Sequence, residues 1–122
     1  MTNWRILIVE DEDDAAVPMS ALLEVHGYRC SVAGTAAEAM VEARRLRPDL
    51  LLLDIGLPDM DGLDLLQRLR EEGVLTECRV LAVTGSIDDA TRERCRDVGC
   101  HAFYPKPVDI DLILSVLGEL DQ

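Results

Sequence analysis

The chain has 122 residues, enough for one domain with its own core, and residues 1–122 read as a single domain. Its 24 acidic against 12 basic residues give a formal charge of −12, which argues against nucleic acid or an anionic membrane surface as a direct partner and suits basic or dipolar protein surfaces. Hydrophobic content is 48% but aromatic content only 3%, so the core must be aliphatic. No apolar run approaches the about 20 residues of a membrane span, and Met1-Thr2-Asn3-Trp4-Arg5 lacks the apolar segment of a secretory leader; a cytoplasmic location is expected.

In chain order, Ile6-Leu7-Ile8-Val9 is a buried strand with the acidic run Glu10-Asp11-Glu12-Asp13-Asp14 at its carboxyl end. Asp13 or Asp14 is expected to cap a helix over about Ala15 to His26, with Pro18 one turn inside and Gly27 as terminator. Tyr28 to Ala33 reads as an edge strand. Thr35 with Glu38 three residues on forms a capping box, opening a helix whose stripe is Ala36, Ala39, Met40, Ala43 and Leu46. Pro48-Asp49 ends that helix, and Leu50-Leu51-Leu52-Leu53-Asp54 follows as a strand buried on both faces. After the turn cluster Gly56-Leu57-Pro58-Asp59-Met60-Asp61-Gly62, Leu63 to Glu72 is a helix with Leu65, Leu66 and Leu69 on one face and Gly73 at its end.

Arg79 to Thr84 is a fourth strand, ending in a hydroxyl. Ile87 to Val98 is helical by its ends, Ser86, Asp88 and Asp89 before and Gly99 after, but carries only Ile87, Ala90, Cys95 and Val98 as apolar residues. So weak a stripe marks it as the most mobile helix. His101 to Tyr104 is a short last strand before Pro105-Lys106-Pro107, and Asp109 to Leu120 is the closing helix. Five strands alternating with five helices predict an α/β, doubly wound, parallel sheet of flavodoxin-like (βα)5 type, strand order 2-1-3-4-5. No G-x-G-x-x-G follows the first strand, which removes the main support for dinucleotide binding.

In that order the carboxyl ends of the strands converge. Glu10 and Asp11 meet Asp54, with Thr84 from the fourth strand and Lys106 from just after the fifth. Crowded carboxylates repel one another and call for cations; Lys106 supplies one, and a hard divalent ion suits oxygen ligands, Mg2+ better than Ca2+. Any one of these residues could be a mere turn, cap or surface residue, the role assigned to Glu12, Asp13, Asp14, Asp59 and Asp61. The convergence of four strand ends on one chemistry outweighs that reading.

At this point the chain resembles the receiver domains of two-component response regulators (the CheY-like family) over essentially its whole length. The resemblance rests on Ile8-Val9-Glu10-Asp11, Pro48-Asp49-Leu50-Leu51-Leu52-Leu53-Asp54, Leu57-Pro58-Asp59-Met60-Asp61-Gly62, Val83-Thr84-Gly85 and Phe103-Tyr104-Pro105-Lys106-Pro107. It implies that Asp54 is a phosphoacceptor for a histidine kinase or histidine phosphotransfer protein. It also implies that Glu10, Asp11, Asp54 and the Gly56 carbonyl hold Mg2+ (or Mn2+), and that Thr84 and Lys106 contact the phosphoryl group. Lys106–Pro107 is expected to be cis, and Phe103 to switch inward when Thr84 moves. Phe103 stands where Tyr is usual and lacks the hydroxyl that favours an outward pose, so an inward bias is expected. No turnover of an external substrate is implied. The alternative is a metal-dependent phosphatase-like enzyme with Asp54 as nucleophile, but the first strand lacks the Asp-x-Asp that such enzymes use.

Two further features bear on partners. In the last helix Ile110, Ile113, Leu114 and Leu117 face the sheet, while Leu112, Val116 and Leu120 widen the apolar arc. These either tuck under a neighbour or form a contact surface for a downstream protein target or a hydrophobic homodimer. The cysteines Cys30, Cys78, Cys95 and Cys100 have no C-x-x-C spacing and read as free thiols, with zinc at Cys95, Cys100 and His101 as the lesser alternative.

Overall fold

A computed structural model describes residues 4–85 and 88–120. The elements in order are β1 (Arg5–Val9), α1 (Asp13–Val25), β2 (Arg29–Ala33), α2 (Ala36–Leu46), β3 (Leu50–Asp54), α3 (Gly62–Glu71), β4 (Arg79–Thr84), α4 (Asp89–Asp97), β5 (Ala102–Pro105) and α5 (Ile110–Leu120). All strand pairs are parallel and the sheet order is β2-β1-β3-β4-β5, as the sequence predicts.

The four leucines explain why β3 is central. A strand covered by helices on both faces must be apolar at every position, and Leu50 to Leu53 are all at most 4% exposed. Successive side chains then divide between the two layers. Leu7, Val9, Leu51 and Leu53 pack with Ala36, Ala39 and Ala43 of α2 and Leu65, Leu66 and Leu69 of α3. Ile6, Ile8, Leu50 and Leu52 pack with Ala16 and Leu23 of α1 and Ile113 and Leu117 of α5. Each fully buried Leu or Ile adds roughly 1.5–3 kcal/mol relative to exposure, an upper figure because the unfolded chain already hides some surface. A third, smaller cluster joins Ile55, Leu63, Ala82 and Cys95, with Val98, Cys100 and Phe103 packed against it.

Several ends differ from expectation. α1 begins at Asp13, with Glu12 in the cap position and no side-chain cap bond. Asp13 and Asp14 are therefore first-turn residues, where their charge favours the helix dipole without capping it. Thr35 caps α2 by accepting the Glu38 N–H at 3.1 Å, but its hydroxyl donates to the Glu38 carboxylate, so only half of the capping box forms as drawn. α4 is capped by Asp88, which accepts the Thr91 N–H at 2.7 Å, and only Cys95 in it is buried. Ser86 and Ile87, assigned to that helix start from sequence, lie outside the described residues. β5 starts at Ala102 rather than His101.

The wide apolar arc of α5 is largely spent on the core. Ile110, Leu114 and Val116 pack against the cluster containing Leu81, Ile113 and Leu117. Leu112 is half-buried, and nothing is described of the Leu120 side chain. Since β5 is a sheet edge, α5 has a broad shoulder to cover, and Ile110, Leu112, Leu114 and Val116 there are each half-buried. The large exposed apolar side chains instead lie mainly on α1: Val17, Leu22 and Val25.

Candidate functional site

β1 and β3 are hydrogen-bonded neighbours, so the residues at their carboxyl ends emerge side by side at the sheet's rim. Asp54 is the last residue of β3 and Glu10 the first after β1; both carboxylates are buried. β4 delivers Thr84 beside them, and the Lys106 N–H donates to the Thr84 carbonyl at 2.8 Å, fixing the chain just past β5. The Lys106–Pro107 peptide is cis, as the resemblance implied.

Lys106 closes the group. Its ammonium lies 2.9 Å from Asp54 Oδ2 and 3.1 to 3.2 Å from the two Glu10 carboxylate oxygens, with Glu12 Oε1 at 4.0 Å. Asp54 Oδ1 accepts the Gly56 N–H at 3.0 Å, and Glu10 Oε1 accepts the Glu12 N–H at 3.1 Å. Burial disfavours the charged form of Glu10 and, with the nearby Asp54 charge, raises its pKa even though the Lys106 and Glu12 hydrogen bonds pull the other way. Burial alone would lower the Lys106 pKa; its hydrogen bonds to Asp54 and Glu10 overcome that and raise it, so the lysine stays a cation.

One ligand oxygen from each of Glu10, Asp11 and Glu12 lies within 4.8 Å of the others. Such a set of hard oxygen donors, two of them exposed, fits a divalent cation that keeps much of its water, as Mg2+ does. The cluster shares Glu10 and Asp11 with the expected set. Glu12, read from sequence as a solvated or capping charge, stands in it. Asp54 does not, being engaged with Lys106 and Gly56 in this structure. Gly56 contributes its N–H here. Among the described residues no metal-ligand cluster includes Cys95, Cys100 or His101. His101 Nδ1 accepts the Val80 N–H at 3.0 Å.

The loop after Asp54 is fitted against the strand end. The Gly62 N–H donates to the Ile55 carbonyl at 2.8 Å. A Cβ at Gly62 would meet the Asp54 carbonyl oxygen at 2.5 Å and Ile55 Cα at 2.8 Å, so space alone requires glycine. Asp59 reaches out of this loop to accept the N–H groups of Ala36 and Ala37 at 2.8 and 3.2 Å, neutralising the first turn of α2. Asp61 caps α3 through the Leu63 N–H at 2.8 Å and pairs with Arg94 of α4 at 3.1 Å. Both were read as turn residues; their reach across the fold has no local sequence signal. Phe103 is half-buried against the Ile55–Leu63–Ala82–Cys95 cluster.

Beside the rim, a cavity of about 440 Å³ runs between α1 and the chain after β5. It is lined by the apolar Ile8, Ala16, Met19, Leu52 and Val108 together with Glu10, Asp54 and Lys106.

Fold and site together define a class: a flavodoxin-like α/β domain with a lysine-bridged carboxylate rim suited to a divalent cation. Comparison with known proteins narrows it. The response regulator receiver domain family matches residues 6–118. The polar-differentiation response regulator DivK of Brucella anthropi is 36% identical over 118 residues, 93% of this chain and 96% of that protein. A CheY-like receiver domain protein from Methanospirillum hungatei is 31% identical with a TM-score of 0.86, covering 98% of this chain and 95% of that one. A Burkholderia pseudomallei response regulator, solved with a phosphorylated aspartic acid, a calcium ion and citrate, is 25% identical with a TM-score of 0.85. The match covers 93% of this chain and 65% of that one. The chain belongs to the receiver domains of two-component response regulators. No described helix is long and apolar enough to cross a membrane.

Proposed function

We propose that Asp54 accepts a phosphoryl group from a phosphohistidine on a sensor kinase or phosphotransfer protein, and that the phosphorylated domain changes its affinity for a downstream protein. The observation that carries this reading is Lys106 spanning Asp54 and Glu10 at the rim where β1 and β3 end. A carboxylate oxygen of Asp54 forms a bond to phosphorus as the phosphorus–nitrogen bond to the donor imidazole breaks, giving an acyl phosphate and a neutral histidine once that ring is protonated. Such transfer depends on positioning and on charge neutralisation. The Gly56 N–H holds Asp54 in place, and the Lys106 ammonium meets the incoming oxygens. The Thr84 hydroxyl, at the adjacent strand end, donates to a phosphoryl oxygen. Mg2+, or Mn2+, held by Glu10, Asp11 and Asp54 with the Gly56 carbonyl, supplies further positive charge when bound; Glu12 is placed to join through water. Movement of Thr84 then frees room toward β5 for Phe103 to turn further inward.

The exposed Val17, Leu22 and Val25 of α1, a helix that starts at the rim, suit the apolar side of a helical phosphodonor. Asp54→Asn is expected to abolish incorporation of label from acetyl phosphate with Mg2+; wild-type incorporation in that variant would overturn the assignment. Steady turnover of phosphate monoesters by the wild-type chain would instead favour the phosphatase alternative, which the family match does not support.

A further inference from the structure

Cys95 and Cys100 are five residues apart, yet the end of α4 brings them together. Gly99, at φ +85, takes the left-handed position that closes the helix, and the Cys100 N–H donates back to the Cys95 carbonyl at 2.9 Å. This is the Schellman arrangement, in which the side chains on either end of that bond characteristically touch. An apolar pair usually occupies those two positions; here they are Cys95 and Cys100. Both pack on the cluster that holds Phe103. The turn is also braced from outside, because Arg70 of α3 donates to the carbonyls of Val98 and Gly99 at 2.9 and 2.8 Å.

The surroundings favour one kind of reagent. A groove of about 230 Å³ is lined by Cys95, Cys100, Arg92, Arg96, His101 and Phe103. Of the two thiol residues that line it, Cys100 is half-buried and Cys95 is 3% exposed. In a chain of net charge −12, two arginines beside an accessible thiol select a small anionic molecule.

We propose that Cys95 and Cys100 form a redox dithiol that a low-molecular-weight anionic disulfide, of the oxidised-glutathione kind, converts to an intramolecular disulfide joining the end of α4 to the start of β5. The Cys100 thiol loses its proton and attacks the small disulfide, giving a mixed disulfide and one small thiolate. The Cys95 thiol then loses its proton and attacks the Cys100 sulfur, expelling the second small thiolate. Two protein thiols are oxidised by two electrons, one small disulfide is reduced, and the two protons end on the two small thiols. Burial, with Cys95 adding to it, pushes the Cys100 thiol up to about 12, and burial raises Cys95 as well. Little thiolate is present at neutral pH, so formation is slow. Cysteines with raised pKa are also poor leaving groups, so the bond, once made, is slow to be reduced. The chemistry is independent of the phosphoacceptor reading.

The native protein is equilibrated in glutathione buffers of increasing oxidised fraction, acid-quenched, alkylated and mapped by mass spectrometry without reduction. The expected product has lost two hydrogens, with Cys95 linked to Cys100. Cys30→Ser and Cys78→Ala retain this change, and Cys100→Ala, which keeps a small apolar group in the turn, lacks it. Amide exchange over residues 95–103 slows several-fold in the oxidised wild type. A wild-type protein that stays reduced or carries only glutathione adducts at the most oxidising poise overturns the proposal. So does the same two-hydrogen loss in Cys100→Ala, or unchanged exchange in the linked protein. None of these readouts involves phosphorylation, so failure here and failure of the Asp54 assignment are separable.

Discussion

Gly62→Ala isolates the fit of the loop behind Asp54, because it adds one methyl group and changes no charge. The added Cβ would lie 2.5 Å from the Asp54 carbonyl oxygen, where ordinary contact begins at 3.4 Å, so strand end and helix start must part by 3.4 − 2.5, or 0.9 Å. The obstructing atoms are backbone and cannot swing aside. Overpacking of this sort costs about 1–3 kcal/mol. At about 4 °C per kcal/mol for a domain of this size, the melting temperature falls by about 4–12 °C. The displaced atoms are those of Asp54 itself, so acetyl phosphate labelling at a temperature where the variant is fully folded also slows. Thermal melts and initial labelling rates on matched samples check both parts. A variant that melts with the wild type and labels at the wild-type rate would show that the rim tolerates the shift and that the close fit has no bearing on the site.

Four other substitutions and titrations probe separate parts of the reasoning. Gly118→Ala is the converse of the first: nothing lies within 4 Å of its Cβ and it sits inside α5, so a gain of about 0.5–1 kcal/mol is expected in urea melts. Thr35→Ala removes the side-chain acceptor for the Glu38 N–H and should cost about 1 kcal/mol in the same assay. Asp59→Ala strips the acceptor from Ala36 and Ala37 and lowers the melting temperature, whereas Asp59→Asn keeps one acceptor oxygen and recovers part of the loss. For His101, burial first, then the Arg79 and Arg70 charges, holds the ring's pKa below the ordinary 6.5. Its neutral form is favoured in the folded state, so the stabilisation is full above that value and is lost as pH falls through the folded pKa. A two-dimensional proton–nitrogen NMR titration of the imidazole should give a midpoint below 6.5 together with loss of the Val80 amide bond. A midpoint at or above the peptide value would refute it.

β3 and β4 were legible to the residue because unbroken aliphatic runs bounded by Pro48-Asp49 and by Thr84-Gly85 leave little freedom of register. Convergence of Glu10, Asp54 and Lys106 followed from strand order alone, since parallel strands must deliver their carboxyl ends to one rim. What escaped was of another kind. Glu12 entered the acidic cluster because the Glu10 side chain turns back to its N–H, a detail of backbone direction after Val9 that spacing does not encode. Asp59 meets α2 across 23 residues and Arg94 meets Asp61 across 33, contacts that no local periodicity announces. The start of α1 shifted because a run of five acidic residues offers several rival caps, and the residue in the cap position uses its backbone only. The two readings of the α5 arc stayed open in the sequence because the helix period gives the width of an apolar face but not the width of the sheet edge beneath it.

The loop between β3 and α3 is tied to its surroundings at several points. Asp59 ends at α2, Asp61 holds both α3 and Arg94 of α4, and Gly62 is wedged against the strand. Loops are ordinarily where a chain accepts added residues, new termini or a protease cut. This one is a mechanical hub. Lengthening it by even one residue would break several of its connections together, so chain engineering belongs at the turn after α3, where Gly73, with nothing within 4 Å of its Cβ, and Glu77 already adopt left-handed backbone.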